Sequence, residues 1–259
     1  YVVAGGLSVL SFLAVLRLPK VPPANRRDST NPFVEIWDGV CYVAERKHLR
    51  RLLISSFLVI MFGFNYVVFI PALVKDTFNL DNDSWVGLIS SASSIGAVAV
   101  GFWLASRADQ PGRWRVMVIT GTIFGTGVVA LAIAPDFWIG VVVVVIIGGG
   151  TSGYQTLSNA IALNLAEPSH QGRVQSLLQL SFAGFGIAAL PLGLLAEAIG
   201  RRQAMVVMGL VATVAIVVYW VLEGSDAETI EGGIPHEPAP APSERPPSSV
   251  SYESTRFPR

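Results

Sequence analysis

The sequence predicts an all-α membrane protein that crosses the bilayer several times. Of its 259 residues, 52% are hydrophobic and 14% are charged, and the mean hydropathy is +0.55. An average soluble domain is about 25% charged, and a water-soluble fold this apolar could not cover its surface with polar groups. The second observation is a series of apolar runs, most of them near the roughly 20 residues that a helix needs to span a bilayer.

Seven apolar segments follow one another along the chain. Residues 1–16 are apolar from the start and have no basic stretch before them, which indicates the end of a helix that begins upstream rather than a signal peptide. We therefore expect the sequence to be a fragment. The other six segments contain no Lys, Arg, Asp or Glu, and each is expected to be a helix because lipid cannot pair backbone groups. These six span residues 52–74, 84–106, 116–134, 137–165, 174–196 and 204–222.

The basic residues alternate across the predicted spans. Twelve lie in the connections on one side of the bilayer, whereas the other side has three, Lys75, Arg201 and Arg202. The positive-inside rule places the side with twelve in the cytoplasm. The sequence thus predicts a multi-pass protein of the plasma (inner) membrane with a cytoplasmic C-terminus.

The connection at residues 18–48 is predicted to be a cytoplasmic linker that contains an amphipathic helix at 31–46. Asn31 is a suitable cap and Pro32 suits the first helical position. Apolar residues then recur at helical spacing from Phe33 to Ala44. The helix is expected to lie along the membrane surface or against the bundle, and the basic cluster at 46–51 would suit anionic headgroups. A plain loop helix without a lipid role explains the pattern equally well.

The last residues, 224–259, form a tail rich in Pro, Ser and Glu, which predicts disorder. A proline-rich partner motif is an alternative there. The net charge of zero gives no indication of a nucleic-acid partner. One cysteine and three dispersed histidines predict neither a disulfide nor a metal site. No catalytic motif is present, so we expect no cofactor and no enzyme activity.

Polar and aromatic residues within the spans point to a substrate cavity. They fall on helical stripes in the segments at 52–74, 84–106, 137–165 and 174–196. Amides are costly in lipid unless they face a partner or water. The alternative is hydrogen bonding between helices with no substrate, which suits Ser and Thr especially. The candidate cavity residues are Asn65, Tyr66, Phe69, Ser94, Gln155, Asn159 and Gln179. Two glycine pairs, Gly121/Gly125 and Gly149/Gly153, are expected to mediate close helix packing.

Three loop motifs resemble those of the major facilitator superfamily. The stretch GLLAEAIGRR at 193–202 resembles the family's G-x-x-x-[DE]-x-x-G-R-R loop, with Ala198 where a basic residue is usual. GRWR at 112–115 resembles a degenerate copy of the same loop, and PSHQGRVQS at 168–176 resembles the family's turn into span 11. The motifs are most similar to the branch that includes bacterial enterobactin and drug exporters. The residues matched to gating loops are Gly112, Arg113, Arg115, Gly172, Arg173, Glu197, Gly200 and Arg201.

The resemblance implies a six-helix half-bundle of the major facilitator fold, comprising spans 7–12 after the end of span 6 at residues 1–17. Spans 7, 8, 10 and 11 would line the cavity, and these are the spans with polar stripes. The expected partners are the lipid bilayer, a small-molecule substrate and a missing N-terminal half of the same chain. The expected function is secondary active export of a small amphipathic molecule, such as a drug or siderophore, by alternating access. A transport-inactive scaffold or sensor, with the tail recruiting partners, is the alternative.

Overall fold

The computed structural model describes residues 32–78, 80, 82–106 and 112–224, together with Gly6. The predicted end of span 6 at 1–17, the first part of the linker and the tail beyond Gly224 lie outside the described residues. The chain divides into two compact units, Tyr1–Asp38 and Gly39–Arg259. Of the first unit, the structure describes Gly6 and the beginning of one helix. The contacts reported below belong to the second unit.

The described residues form helices and no strand, as the all-α prediction requires. Within the part of the chain that the structure describes, six helical stretches are long and apolar enough to cross a membrane. The first of them, Lys47–Thr77, is interrupted twice by wider π-helical turns, and we call it the broken span. Its parts are α2 (Lys47–Leu58), a π segment (Val59–Gly63), α3 (Tyr66–Ala72) and a second π segment (Leu73–Thr77). The remaining helices are α1 (Pro32–Glu45), α4 (Asp83–Ala105), α5 (Arg113–Ala132), α6 (Phe137–Asn164), α7 (Gln171–Ile199) and α8 (Arg201–Glu223).

Helix α1 lies where the sequence predicts the amphipathic helix. Its C-terminal end is attached to the loop before α7 through Tyr42, which stacks on the His170 ring at 4.0 Å. The Arg46 guanidinium covers the opposite face of Tyr42 at 3.7 Å and pairs with Glu167. The Glu167 backbone N–H also donates to the Tyr42 hydroxyl oxygen at 2.9 Å. This cluster fixes the end of α1 to the bundle, and the position of α1 at a membrane surface stays a prediction.

Glycines bring the backbones of α4 and α6 into contact. A Cβ added at Gly96 would overlap the carbonyl oxygen of Val145, and one added at Gly148 would overlap that of Ser93. Between helices in lipid, where no hydrophobic effect drives association, such close packing supplies van der Waals contact. The two helices therefore tolerate no side chain at these crossing points.

Glycines also bring α5 into close contact with α6 and α8. These contacts confirm the packing interpretation of the two glycine pairs. An added Cβ at Gly121 would lie 2.7 Å from the Tyr154 ring of α6, and one at Gly153 would lie 2.7 Å from Thr120 of α5. An added Cβ at Gly209 of α8 would lie 2.8 Å from the carbonyl oxygen of Gly125. Helix α5 is thereby held between α6 and α8.

Two glycines of α4 provide a direct test of this packing. The Gly96→Ala substitution is expected to lower the apparent melting temperature of the full-length protein in detergent by several degrees, because overpacking costs about 1–3 kcal/mol. The matched control is Gly101→Ala on the same helix, where an added Cβ meets no atom within 4 Å. Equal melting temperatures for the two variants would contradict the assigned crossing of α4 and α6.

Candidate functional site

The broken span loses its regular α-helical geometry near the middle of its length. The first π segment ends at Gly63, and Phe64 and Asn65 form a turn before α3 begins. After the turn, the N–H groups of Val67 and Val68 bond to carbonyls three residues back, at 3.2 and 3.1 Å. Isolated π turns in α-helices occur frequently at functional sites, and discontinuous spans commonly form transporter binding sites. The interruption is therefore the first candidate for a site.

Asn65 occupies the centre of this interruption. Its side chain is 0% exposed. Its Nδ2 donates to the carbonyl oxygen of Met61 at 2.6 Å, within the first π segment, and to that of Phe185 on α7 at 3.2 Å. The Asn65 Oδ1 atom is buried and accepts no hydrogen bond from the described part of the chain. A buried amide oxygen without a donor is unfavourable by about 1–3 kcal/mol, so a ligand hydroxyl or N–H group would be stabilised there.

Aromatic rings surround the interruption. Phe64 packs against Phe124 of α5 and Phe182 of α7, with ring centroids 5.4 and 6.0 Å apart. Tyr66 meets the Phe124 ring edge to face at 6.1 Å. Phe124 reaches the broken span because Gly63 has no side chain, and a Cβ there would lie 2.6 Å from the ring. The result is a cluster of apolar faces beside a buried amide oxygen that has no donor among the described residues.

A buried hydroxyl network lies closer to the start of the broken span. The Ser56 hydroxyl is 2.8 Å from that of Ser158 and 3.3 Å from that of Tyr154, both on α6. Ser55 donates to the carbonyl of Ala215 on α8 at 3.4 Å. Because these polar groups satisfy one another, the network is a structural joint between three helices. Ser158 lies on α6 between the candidate cavity residues Gln155 and Asn159, and its position favours hydrogen bonding between helices.

A buried carboxylate at the end of α8 escaped the sequence analysis. The Glu223 side chain is 0% exposed, and it pairs with Arg51 at 2.8 Å and with His48 of α2. Arg51 also donates to the Leu222 carbonyl at 3.1 Å. In the sequence Glu223 follows the last apolar residue and precedes the proline-rich tail, so it resembled the first residue of that tail. Its four-residue spacing from the buried Tyr219 on α8 is the signal that could have identified it.

Comparison with known proteins decides the family. A model of the Major Facilitator Superfamily matches residues 1–183 and 52–249, which is more than half of the chain. The chain belongs to the Major Facilitator Superfamily. It is therefore a multi-pass membrane protein of a transporter family, not an enzyme. The predicted fold class, the half-bundle of six helices, is confirmed.

Alignment with two similar proteins shows what share of their length this chain covers. A D-xylose transporter of Levilactobacillus brevis is 26% identical over 159 residues, which cover 52% of this chain and 35% of the relative. An E. coli fucose:proton symporter shares the fold with a TM-score of 0.62 at 15% identity. That alignment covers 82% of this chain and 52% of the symporter. The chain thus spans about a third of the curated relative and about half of the symporter.

The predicted cavity residues of this facilitator fall into two groups. Asn65 and Tyr66 are buried at the interruption, and Phe69 is buried one helical turn beyond Tyr66. The other four lie on α4, α6 and α7, half-buried or exposed, and their side chains form no hydrogen bond with the described residues; they are Ser94, Gln155, Asn159 and Gln179. The structure therefore brings the residues of the broken span together and leaves the other polar groups on separate helices.

The predicted gating residues near the end of α7 belong to a charged cluster at the end of the bundle where α7 meets α8. Gly200 has φ +95° and ψ 148°, a conformation that suits glycine, and it connects α7 to α8. Arg201 pairs with Asp76 of the broken span, and Arg202 donates to the Ala134 carbonyl at 2.5 Å. Glu197 is exposed and lines a groove of about 660 Å³ between the broken span, α7 and α8. The Arg201–Asp76 pair thus links the end of the broken span to the start of α8.

The remaining gating residues lie at helix starts. Gly112 has φ +98° and precedes α5, whose first turn contains Arg113 and Arg115. Gly172 and Arg173 occupy the first turn of α7. A Cβ added at Gly39 of α1 would lie 3.4 Å from the Cβ of Arg173, so α1 packs directly on this turn. Their role in gating stays a prediction.

Substitution of Glu223 tests whether the buried ion cluster stabilises the end of the bundle. Glu223→Ala is expected to destabilise the full-length protein by about 1–3 kcal/mol, because Arg51 and His48 would lose a buried partner. The measurement is the apparent melting temperature in detergent, with Glu197→Ala, an exposed carboxylate, as the control. A Glu223→Ala variant as stable as the control would show that the cluster contributes no net stability.

Proposed function

We propose that the whole protein is a secondary active transporter that works by alternating access and exports a small amphipathic molecule, such as a drug or siderophore. The observation that carries the proposal is the interruption of the broken span, with the unpaired Oδ1 of Asn65 among aromatic rings. Aromatic faces bind the apolar part of such a cargo, and a fixed amide orients its polar part. The resemblance of the loop motifs to the enterobactin and drug exporter branch supports this cargo class.

The remaining polar groups support the same pocket. Gln155 and Asn159 lie four residues apart on α6, so both occupy one face of that helix. Amides of this kind persist in spans when they face water or a partner. We propose that Gln155, Asn159, Ser94 and Gln179 face a central cavity, which a further half of the protein completes. The cargo would then meet the broken span on one side and these amides on the other.

A sugar is the second candidate cargo. The two relatives are named as a D-xylose transporter and a fucose:proton symporter. A sugar presents many hydroxyl groups, and the Asn65 Oδ1 atom is a buried acceptor without a donor among the described residues. Aromatic rings also stack against the apolar faces of sugars. The two candidates differ in whether cargo leaves or enters the cell, so transport direction discriminates between them.

The loop residues would act on the conformational switch. We propose that the Arg201–Asp76 pair and the Gly200 turn hold the outer side in one state. Gly112, Arg113, Arg115, Gly172 and Arg173 would act similarly at the opposite side. The excess of basic residues there supports a cytoplasmic location for that side, and hence a cytoplasmic C-terminus in the plasma (inner) membrane.

Transport by the full-length protein tests the proposal. Cells that lack the gene and complemented cells are compared for accumulation of a fluorescent amphipathic drug, a catecholate siderophore, xylose and fucose. Lower drug or siderophore accumulation in complemented cells supports the exporter, and faster sugar uptake supports the second candidate. If none of the four is transported at normal expression, the transport-inactive scaffold or sensor becomes the better account.

The transported cargo then tests the site. Asn65→Ala, Gln155→Ala and Asn159→Ala are each expected to reduce kcat/KM about two- to tenfold, because each removes a hydrogen bond worth about 0.5–1.5 kcal/mol. Asn164→Ala, an exposed amide at the end of α6, is the matched control. Wild-type kinetics for all three variants at normal expression would refute the site assignment.

A further inference from the structure

Two apolar grooves run along the first part of the broken span, one on each side of α2. Groove A lies between α2 and α8 and has a volume of about 460 Å³. Groove B lies between α2, α7 and the end of α1 and has a volume of about 410 Å³. Both are almost wholly apolar. Groove A contains Val214 and Val218 of α8, and groove B contains Leu177 and Leu180 of α7.

The grooves share a single ridge. Ile54 and Leu58 line both of them, and Ile54 is 54% exposed. Two apolar grooves on either side of one ridge match a ligand with two hydrocarbon chains joined at one end. A single-chain amphiphile would leave one groove empty, and a bulky rigid cargo would not fit around the ridge.

Two neighbouring arginines stand at the same end of the grooves. Arg51 lines groove A and Arg50 lines groove B. Arg50 is exposed, and its Nη1 donates one hydrogen bond to the Ala44 carbonyl at 2.7 Å. The Nη1 of Arg51 donates to the Glu223 carboxylate and to the Leu222 carbonyl. Because a guanidinium has five N–H donors, both side chains retain donors for a phosphate.

The charge around this end favours an anion. Lys47 and His48 lie one turn before the two arginines, and Arg46 is paired with Glu167. The carboxylate that faces the arginines is Glu223, which is buried, and Glu45 ends the neighbouring helix α1. Arg50 contacts the neutral Ala44 carbonyl and forms no ion pair with the described residues, so its positive charge is available to an anion. Phosphate is a group that arginines bind through two parallel N–H donors.

We propose that these grooves bind one anionic diacyl phospholipid, with an acyl chain on each side of the Ile54–Leu58 ridge and its phosphate between Arg50 and Arg51. The lipid would come from the cytoplasmic leaflet, where basic residues near the membrane surface attract anionic headgroups. It would hold α1, α2 and α8 together beside the buried Glu223 cluster. The proposal is independent of the cargo and of the site at Asn65.

Native mass spectrometry of the purified full-length protein tests this proposal. Phosphatidylglycerol is expected to bind at one site more tightly than phosphatidylcholine with the same acyl chains. Arg50→Gln is expected to weaken that binding about fivefold, since one basic residue contributes about 1 kcal/mol. Ile54→Trp, which enlarges the ridge that lines both grooves, is expected to weaken it at least as much. The controls are Arg115→Gln, an exposed arginine on α5, and Ile187→Trp, an exposed position on α7.

A second measurement uses the unaltered protein, so its result does not depend on whether the variants fold. Phosphatidylglycerol with a photoreactive group in its acyl chain is expected to label peptides of α2 together with α7 or α8. Equal binding of the two lipids, retention of tight binding by both Arg50→Gln and Ile54→Trp, or labelling spread evenly over all spans would overturn the proposal. Those outcomes would indicate annular lipid only, or grooves covered by another part of the protein.

Discussion

A helix in lipid must pair every backbone N–H and C=O group within itself or with a neighbouring helix. Five of the six spans meet this requirement by running as uninterrupted α-helices, from α4 to α8. The broken span pairs its backbone less regularly, since it passes through two π segments and a turn. Asn65 compensates at the turn, because its amide nitrogen bonds to Met61 in the same span and to Phe185 in α7. The Asn65 Oδ1 atom accepts no hydrogen bond from the described residues, and we propose that the cargo binds there.

The rest of the bundle supports this one irregular span. Glycine contacts lock α4 to α6 and α5 to both α6 and α8, so these helices form a close-packed frame. The serine and tyrosine network then attaches the first half of the broken span to that frame. Ion pairs lie at the two ends of the bundle, with Glu223 at one and Arg201–Asp76 at the other. The bundle thus combines a close-packed frame with one irregular span that is held at both ends. This arrangement is suitable for a moving gate.

Much of the fold followed from the sequence because the bilayer imposes a length and a composition on each span. The positions of the six spans were predictable on that basis. The linker helix was predictable from its cap and apolar spacing, and the glycine contacts from the four-residue spacing of the glycines. The two π segments were not, since Gly63 and Pro71 mark a possible interruption without specifying its geometry. Glu223 was missed because its burial depends on Arg51 and His48, which precede it by more than 170 residues. Ser158 and Gln155 are three residues apart, and the sequence could not show that only one of them joins a buried network.

The broken span is expected to respond to cargo at Asn65. Hydrogen–deuterium exchange of the full-length protein in detergent, with and without saturating cargo, measures that response. Residues 59–77 are expected to exchange faster than α5 in the free protein, since their backbone hydrogen bonds are irregular. Cargo is expected to slow this exchange and to leave that of α5 unchanged. Equal protection of the two segments, or a cargo effect confined to other spans, would contradict this expectation.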